Sequence, residues 1–202
     1  MLSMPDQKST LRKAALQRRD ALDPGKRIEL SLEAAQHGEK IPLFGDDEFV
    51  PGTVVAGFHP IRSEIDPRPF MYELARRHAR LCLPVVTSKT TIEFRELVRG
   101  APMISSGFGT VGPDENAEVL DPTIILVPLS VFDLQGGRIG YGGGFYDRAV
   151  ETLINKGATP KLIGMGFSVQ QEDAVPMEPH DRFLDGILTE NGYTPATHHS
   201  GT

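Results

Sequence analysis

IILVPLSVFDLQGGRIGYGGGFYDR, residues 124–148, sets the fold class of this 202-residue chain. Ile124 to Pro128 is a short continuous apolar run of the kind that forms a strand buried on both faces. It leads through Phe132-Asp133 to six glycines in nine residues, Gly136 to Gly144, and then to a helical pattern reaching about Lys156. A glycine loop feeding a helix N-terminus offers an anion unpaired backbone N–H groups and the positive end of the helix dipole. A tight turn with nothing bound would leave the crowding of Phe145, Tyr146, Asp147 and Arg148 at the loop's exit unexplained. A phosphate-class ligand is the preferred reading.

The alternation extends both ways. Leu11, Ala15, Leu16 and Leu22 recur at helical spacing, predicting a helix over Asp6 to Ala21. Asp23-Pro24 reads as an N-cap and first turn of a second helix to about His37, expected to bury Ile28, Leu32 and Ala35. Residues 38–52 read as a loop carrying Asp46-Asp47-Glu48, and Thr53 to Phe58 as a buried strand. Pro67 to Arg80 is expected to be a helix with Phe70, Met71, Leu74 and Ala75 inward. Arg80 to Val86 and Ile92 to Leu97 read as strands, Pro102 to Pro113 as a loop, and Lys161 to Gly166 and Asp185 to Thr189 as the last strands. This pattern predicts an α/β fold, a three-layer α/β/α arrangement with a mostly parallel mixed central sheet and an N-terminal helical segment. Ligands in such sheets bind beyond the carboxyl ends of the strands. Residues 1–193 read as one domain and 194–202 as a disordered tail, with His198-His199 incidental.

Composition narrows the function. A net charge of -6 argues against broad nucleic-acid binding, which needs a basic face. It leaves room for a local cationic pocket, since 14 of the 21 basic residues are arginines suited to bidentate phosphate or carboxylate contacts. Cys82 is the single cysteine, which excludes an intramolecular disulfide and a cysteine-based metal cluster. Its setting, Leu81-Cys82-Leu83, predicts a buried inert thiol. No apolar run has the length of a membrane span or a signal-peptide core, so a cytoplasmic monomer with no membrane partner is expected.

Familiar catalytic motifs are missing. There is no G-x-x-x-x-G-K-[ST], no G-x-S-x-G elbow and no H-E-x-x-H, and Phe145 stands where a dinucleotide fingerprint needs its third glycine. Asp147 falls in the first turn of the helix after the loop, as a capping acid or a Mg²⁺ ligand. Asp185 offers a second carboxylate at the start of the final strand. Lys8 and Arg12, four apart, share one face of the first helix.

Read with these flanks, the glycine segment resembles the 5-formyltetrahydrofolate cyclo-ligase family, also called methenyltetrahydrofolate synthetase. Lys8-Ser9-Thr10-Leu11-Arg12 is similar to that family's K-x-x-L-R, and Glu64-Ile65-Asp66 to its E-V-[DE] segment. Leu126-Val127-Pro128, Phe132-Asp133 and Arg138 to Arg148 follow its signature, and Pro176, His180-Asp181, Asp185 and Ile187-Leu188-Thr189 fit its C-terminal stretch. The resemblance implies ATP- and Mg²⁺-dependent conversion of 5-formyltetrahydrofolate to 5,10-methenyltetrahydrofolate. In that reaction the γ-phosphoryl passes to the formyl oxygen, N10 closes the ring, and ADP and phosphate are released. It implies ATP contacts from Lys8, Arg12, Arg138, Ile139, Gly140, Tyr141, Gly142, Gly143, Gly144, Phe145 and Tyr146. It implies folate contacts from Ile61, Asp66, Tyr141, Gly142, Gly143, Gly144 and Phe145, and Mg²⁺ held by Asp147 and Asp185. Phe145 replaces a tyrosine common in the family, and Tyr141 and Gly143 stand where some members are basic. The phosphate charge then falls to Arg138, Lys8, Arg12 and backbone amides. Two other readings stay open: a non-catalytic folate or nucleotide binder, and a sugar-phosphate isomerase that needs no ATP.

Overall fold

The apolar run Ile124–Pro128 lies in the interior of the main sheet of the computed structural model, which describes residues 3–44, 49–107 and 109–197. The readings of Asp46-Asp47-Glu48 and His198-His199 lie outside the described residues. In chain order the elements are α1 (Met4–Asp20), α2 (Pro24–Gly38), β1 (Val54–Ala56), α3 (Arg68–Arg76), β2 (Arg80–Val86) and β3 (Ile92–Glu96). There follow β4 (Met103–Gly107), β5 (Thr110–Pro113), β6 (Ile124–Pro128), β7 (Val131–Phe132) and β8 (Arg138–Ile139). The chain continues through α4 (Phe145–Asn155), β9 (Lys161–Met165), β10 (Gly186–Thr189) and β11 (Gly192–Pro195).

Seven strands form one sheet in the order β11-β10-β9-β6-β1-β2-β3. The five inner strands are parallel, and β3 and β11 close the edges in antiparallel pairing. Period-2 alternation divides the core cleanly. Val55, Ile124, Leu126 and Ile163 face α2 and α3, while Ala56, Ile125, Val127 and Leu162 face α4. Helices therefore cover both faces, giving the expected α/β/α layering. A smaller cluster of Ala15, Val131, Ile139 and Val175 seats α1 against the β7–β8 hairpin.

Helix starts follow local chemistry. Ser3 caps α1, and Asp23 caps α2 by accepting from the Gly25 N–H at 2.8 Å, with Pro24 in the first turn. The buried side of α2 differs from the expected one. Ile28 and Leu32 are 64% and 48% exposed, and Leu30, Ala34, Ala35 and Gly38 face inward. The small residues permit closer approach to α3, whose Phe70 ring lies directly against Gly38. Helix α3 ends at Arg76, short of Arg80, because His78 takes a left-handed conformation (φ 65°), and Ala75 is exposed.

Two further stretches are more ordered than the sequence suggests. The expected loop 102–113 contains the β4–β5 hairpin, whose short strands, with Met103 and Ile104 adjacent and Val111 alone, give no apolar alternation to read. Thr194 and Pro195, assigned to the tail, pair in β11. Beyond them the Ala196 N–H bonds to the Asp185 carbonyl at 3.0 Å and the Thr197 N–H to that of Leu134 at 3.1 Å.

Candidate active site

Strand β1 connects outward to β2 on one side, while the chain returns to pair β6 on its other side. This is a topological switch point, where the connections diverge and leave a crevice at the carboxyl ends of the strands. A cleft of about 1060 Å³ opens there. Its walls are the segment from Phe58 to Glu64 after β1, Pro128 at the end of β6, the glycine loop, the first turn of α4, α1, and the loop bearing Glu178 and Asp181.

The glycine run serves two purposes. Gly136 and Gly137 form the β7–β8 turn, built around the buried Asp133 carboxylate. That carboxylate accepts from the N–H groups of Gln135 (2.9 Å), Gly137 (2.8 Å) and Val175 (2.7 Å). A Cβ on Gly137 would lie 2.6 Å from Asp133 Oδ2, so this half of the run is scaffold. Residues 140–144 line the cleft. Gly144, at φ 62°, is the N-cap of α4 and supplies no side-chain cap, which leaves the first turn of that helix facing the cleft with Phe145, Tyr146 and Asp147. Burial raises the Tyr146 phenol well above its ordinary range, so this hydroxyl stays protonated.

Cations reach the cleft from separate elements. Arg12 Nε donates to the Gly140 carbonyl at 2.7 Å, tying α1 to the loop. Lys8 Nζ is paired with Glu178 at 2.7 Å and Asp181 at 2.6 Å. Burial by itself would lower the Lys8 pKa and raise that of Asp181. Their mutual hydrogen bonds outweigh it, holding Lys8 above and Asp181 below its ordinary range. Arg138 is buried and donates to Asp147 Oδ1 at 2.6 Å, and its Nε has no hydrogen-bond partner among the described residues. The Arg182 N–H also donates to Asp147 Oδ1, at 3.1 Å, which brings the Asp181-Arg182 segment beside Asp147.

Lys8, Arg12, Ile61, Asp147 and all nine residues from Arg138 to Tyr146 lie together at this cleft. Two expected residues do not. Asp66 is not part of the lining; it is ion-paired with Arg68 at 2.6 Å and accepts the Arg68 N–H at 3.0 Å at the start of α3, within electrostatic reach of the cleft-lining His59. Burial raises its pKa, but the bonds from Arg68 prevail and lower it. Glu64, two residues earlier, faces the cleft instead, its Oε2 accepting the Ile61 N–H at 2.9 Å across a tight turn. Burial pushes the Glu64 carboxyl up against the opposing influence of Ile61, Arg19, Tyr141 and Arg62.

Asp185 is the second of them. It sits at the amino ends of β9 and β10, the opposite edge of the sheet, with Oδ1 3.0 Å from Lys161 Nζ and Oδ2 accepting the Leu162 N–H at 2.8 Å. Asp147 and Asp185 are therefore not brought together; Asp181 lines the cleft with Asp147. His180-Asp181 is in the C-terminal stretch that carries the resemblance, so the signal was present, but spacing alone does not rank Asp181 above Asp185. Sequence reasoning also missed His59, Arg62, Lys89 and Glu178, all of which line the cleft. Cys82 is buried and its thiol is pushed up to about 12 by burial, as an inert core residue.

The 5-formyltetrahydrofolate cyclo-ligase family model matches residues 5–190. The chain belongs to this family. The cyclo-ligase of Mycolicibacterium smegmatis is 30% identical over 196 residues, 92% of this chain and 94% of that protein. The cyclo-ligase of Haemophilus influenzae is 31% identical over 140 residues, 66% of this chain and 74% of that protein. Among solved structures, the 5,10-methenyltetrahydrofolate synthetase of Aquifex aeolicus aligns with a TM-score of 0.77 at 28% identity, covering 96% of this chain and 95% of that one. The synthetase of Mycoplasma pneumoniae aligns at 0.70 and 26% identity, covering 91% and 98%. The 5-formyltetrahydrofolate cyclo-ligases are ATP-dependent ligases, and the mixed parallel sheet described above is shared with these synthetases.

Proposed function

We propose that the cleft binds ATP and 5-formyltetrahydrofolate together and closes the folate ring to 5,10-methenyltetrahydrofolate. The observation that carries this reading is the meeting of Lys8, Arg12, Arg138 and the uncapped first turn of α4 at the sheet's switch point. These groups suit a polyphosphate, since cations and helix N-terminal amides both favour dense negative charge. The formyl oxygen of the substrate attacks the γ-phosphorus and ADP departs. N10 then attacks the activated carbon, loses its proton, and inorganic phosphate leaves. Such a reaction asks the protein mainly for positioning and charge stabilisation, which agrees with the missing nucleophile motif.

Mg²⁺ is part of the same reading. Asp147 and Asp181 supply hard carboxylate oxygens of the type that ion prefers, at the wall that also carries the phosphate-binding cations. Once bound it would neutralise phosphate charge. Arg138 and Lys8 hold these two carboxylates in place. Glu64, rather than Asp66, is the acid on the folate side, with Ile61, Tyr141 and Phe145 as apolar and aromatic walls. No helix of the described residues is long and apolar enough to cross a membrane. A cytoplasmic monomer is the setting this reading expects.

Protein supplied with 5-formyltetrahydrofolate, Mg²⁺ and ATP should develop the near-ultraviolet absorbance of the methenyl product. Folded protein that binds folate without ATP-dependent absorbance change would instead be a non-catalytic relative. Turnover that survives omission of ATP would point to isomerase chemistry.

A further inference from the structure

Arg19, in the last turn of α1, is 1% exposed, yet it makes no ion pair among the described residues. Its Nε donates to Ser63 Oγ at 3.0 Å and its Nη2 to the Tyr141 hydroxyl at 2.8 Å. Its Nη1 is buried with no hydrogen-bond partner among the described residues. The Asp20 carboxylate is one hydroxyl away, bonded to Ser63 Oγ. A buried cation retained for stability alone is better served by a direct carboxylate, and an apolar side chain often does as well. Here two hydroxyls take the guanidinium's donors.

The consequence falls on Tyr141. Its oxygen accepts from Arg19, so its single proton is directed elsewhere, and the Glu64 carboxyl lies within electrostatic reach of it. Glu64 is held by the Ile61 N–H and lines the same cleft as a phenol that a cation has polarised. The guanidinium of Arg62 lies 5.5 Å from the Tyr141 ring centroid and that of Arg19 5.9 Å away, which restrains the ring as well as the hydroxyl. The side chain at 141 is part of the glycine loop, so one buried arginine links that loop to the segment after β1.

We infer that Arg19 is a positioning residue for the folate side of the cleft, fixing the Tyr141 ring and hydroxyl that stand there with the Glu64 carboxyl. The inference rests on the proposed reading of the cleft as a 5-formyltetrahydrofolate site. Lys8 and Arg12 lie on the same helix but serve the nucleotide side, which separates this role from simple docking of α1. Loss of docking would disturb both substrates, whereas loss of positioning would disturb one.

Steady-state methenyl formation is measured for wild type, Arg19→Gln, Arg19→Lys, Tyr141→Phe and the double variant Arg19→Gln/Tyr141→Phe, with folate and ATP varied separately. Arg19→Gln and Tyr141→Phe should each raise KM for 5-formyltetrahydrofolate about tenfold, the scale of one hydrogen bond to a charged network, with KM for ATP within about twofold of wild type. The double variant should be no worse than Arg19→Gln alone, because both act through one path, and Arg19→Lys should recover part of the loss. Equal rises in both KM values, additive effects, or an unchanged folate KM would overturn the inference. If Arg19→Gln does not fold, Tyr141→Phe still decides, since it keeps the ring and removes only the hydroxyl. Absence of ATP-dependent product with wild type defeats the functional reading itself. Wild-type turnover with unaltered variants defeats the positioning role alone.

Discussion

Glu64 and Asp66 are two residues apart and Asp181 and Asp185 four, yet in each pair one acid faces the cleft and the other serves the scaffold. Asp66 anchors the start of α3 through Arg68, and Asp185 ties the amino ends of β9 and β10 through Lys161 and Leu162. The acids at the cleft are held differently. Asp181 is bridged by Lys8 from a helix more than 170 residues away in the chain, and Glu64 is bonded across its own turn. In a parallel sheet the carboxyl ends of the strands collect ligands, so the end on which an acid falls decides its chemistry. Nearness in sequence does not.

The sharpest way to break this contrast is to exchange roles within the second pair. Asp181→Ala should lower kcat/KM by about 10²-fold or more, the scale seen when one charge-stabilising group is lost, with the fold retained. Asp185→Ala should leave kcat/KM within a few-fold and lower the melting temperature, because the Leu162 N–H loses its acceptor at about 1 kcal/mol. Parallel kinetics and thermal melts read both arms; a catalytic collapse in Asp185→Ala with unchanged stability would reverse the assignment. Asp147→Asn should likewise reduce Mg²⁺-dependent turnover far more than it reduces stability.

The first pair gives a smaller effect. Glu64→Gln should raise the folate KM about tenfold, whereas Asp66→Asn should change it less than twofold. Stability should move in the opposite sense. Burial raises the Glu64 pKa above its ordinary 4.5, so the folded protein binds that proton more readily than the unfolded chain. Its contribution is present below 4.5 and lost as pH rises through the folded value. Glu64→Gln should flatten that part of the stability profile, and an unaltered profile would mean that the carboxyl is solvated.

The smallest effect lies on the acid side of Asp181. Lys8 holds its pKa below 3.8, so the pair contributes stability above that value and loses it as pH falls through the folded pKa. Acid unfolding of Asp181→Asn should lack this component. If both proteins unfold along the same acid curve, the Lys8–Asp181 bridge is not formed in solution.

Much of the architecture is legible in the sequence. Ile124–Pro128 and Arg80–Val86 match their expected bounds, because β-branched apolar runs bounded by turn residues have few other uses. The β4–β5 hairpin and β11 were not legible, since their stability comes from pairing with neighbours rather than from their own pattern. The inward side of α2 was misread because two helical stripes compete there, and the choice depends on how closely α3 can approach.

The glycine run shows the same division. Its density announces a loop at the end of a strand, but half of it closes the turn around Asp133 and only the other half lines the cleft. By itself the sequence determined the layered α/β class, the position of a glycine loop at the start of α4, and the family resemblance, because these rest on local periodicity, backbone freedom and ordered motifs. Only the tertiary structure decided that Glu64 and Asp181 face the cleft while Asp66 and Asp185 do not, and that Arg19 stands behind Tyr141. Those choices depend on strand direction and on contacts between segments distant in the chain, which no spacing along the sequence records.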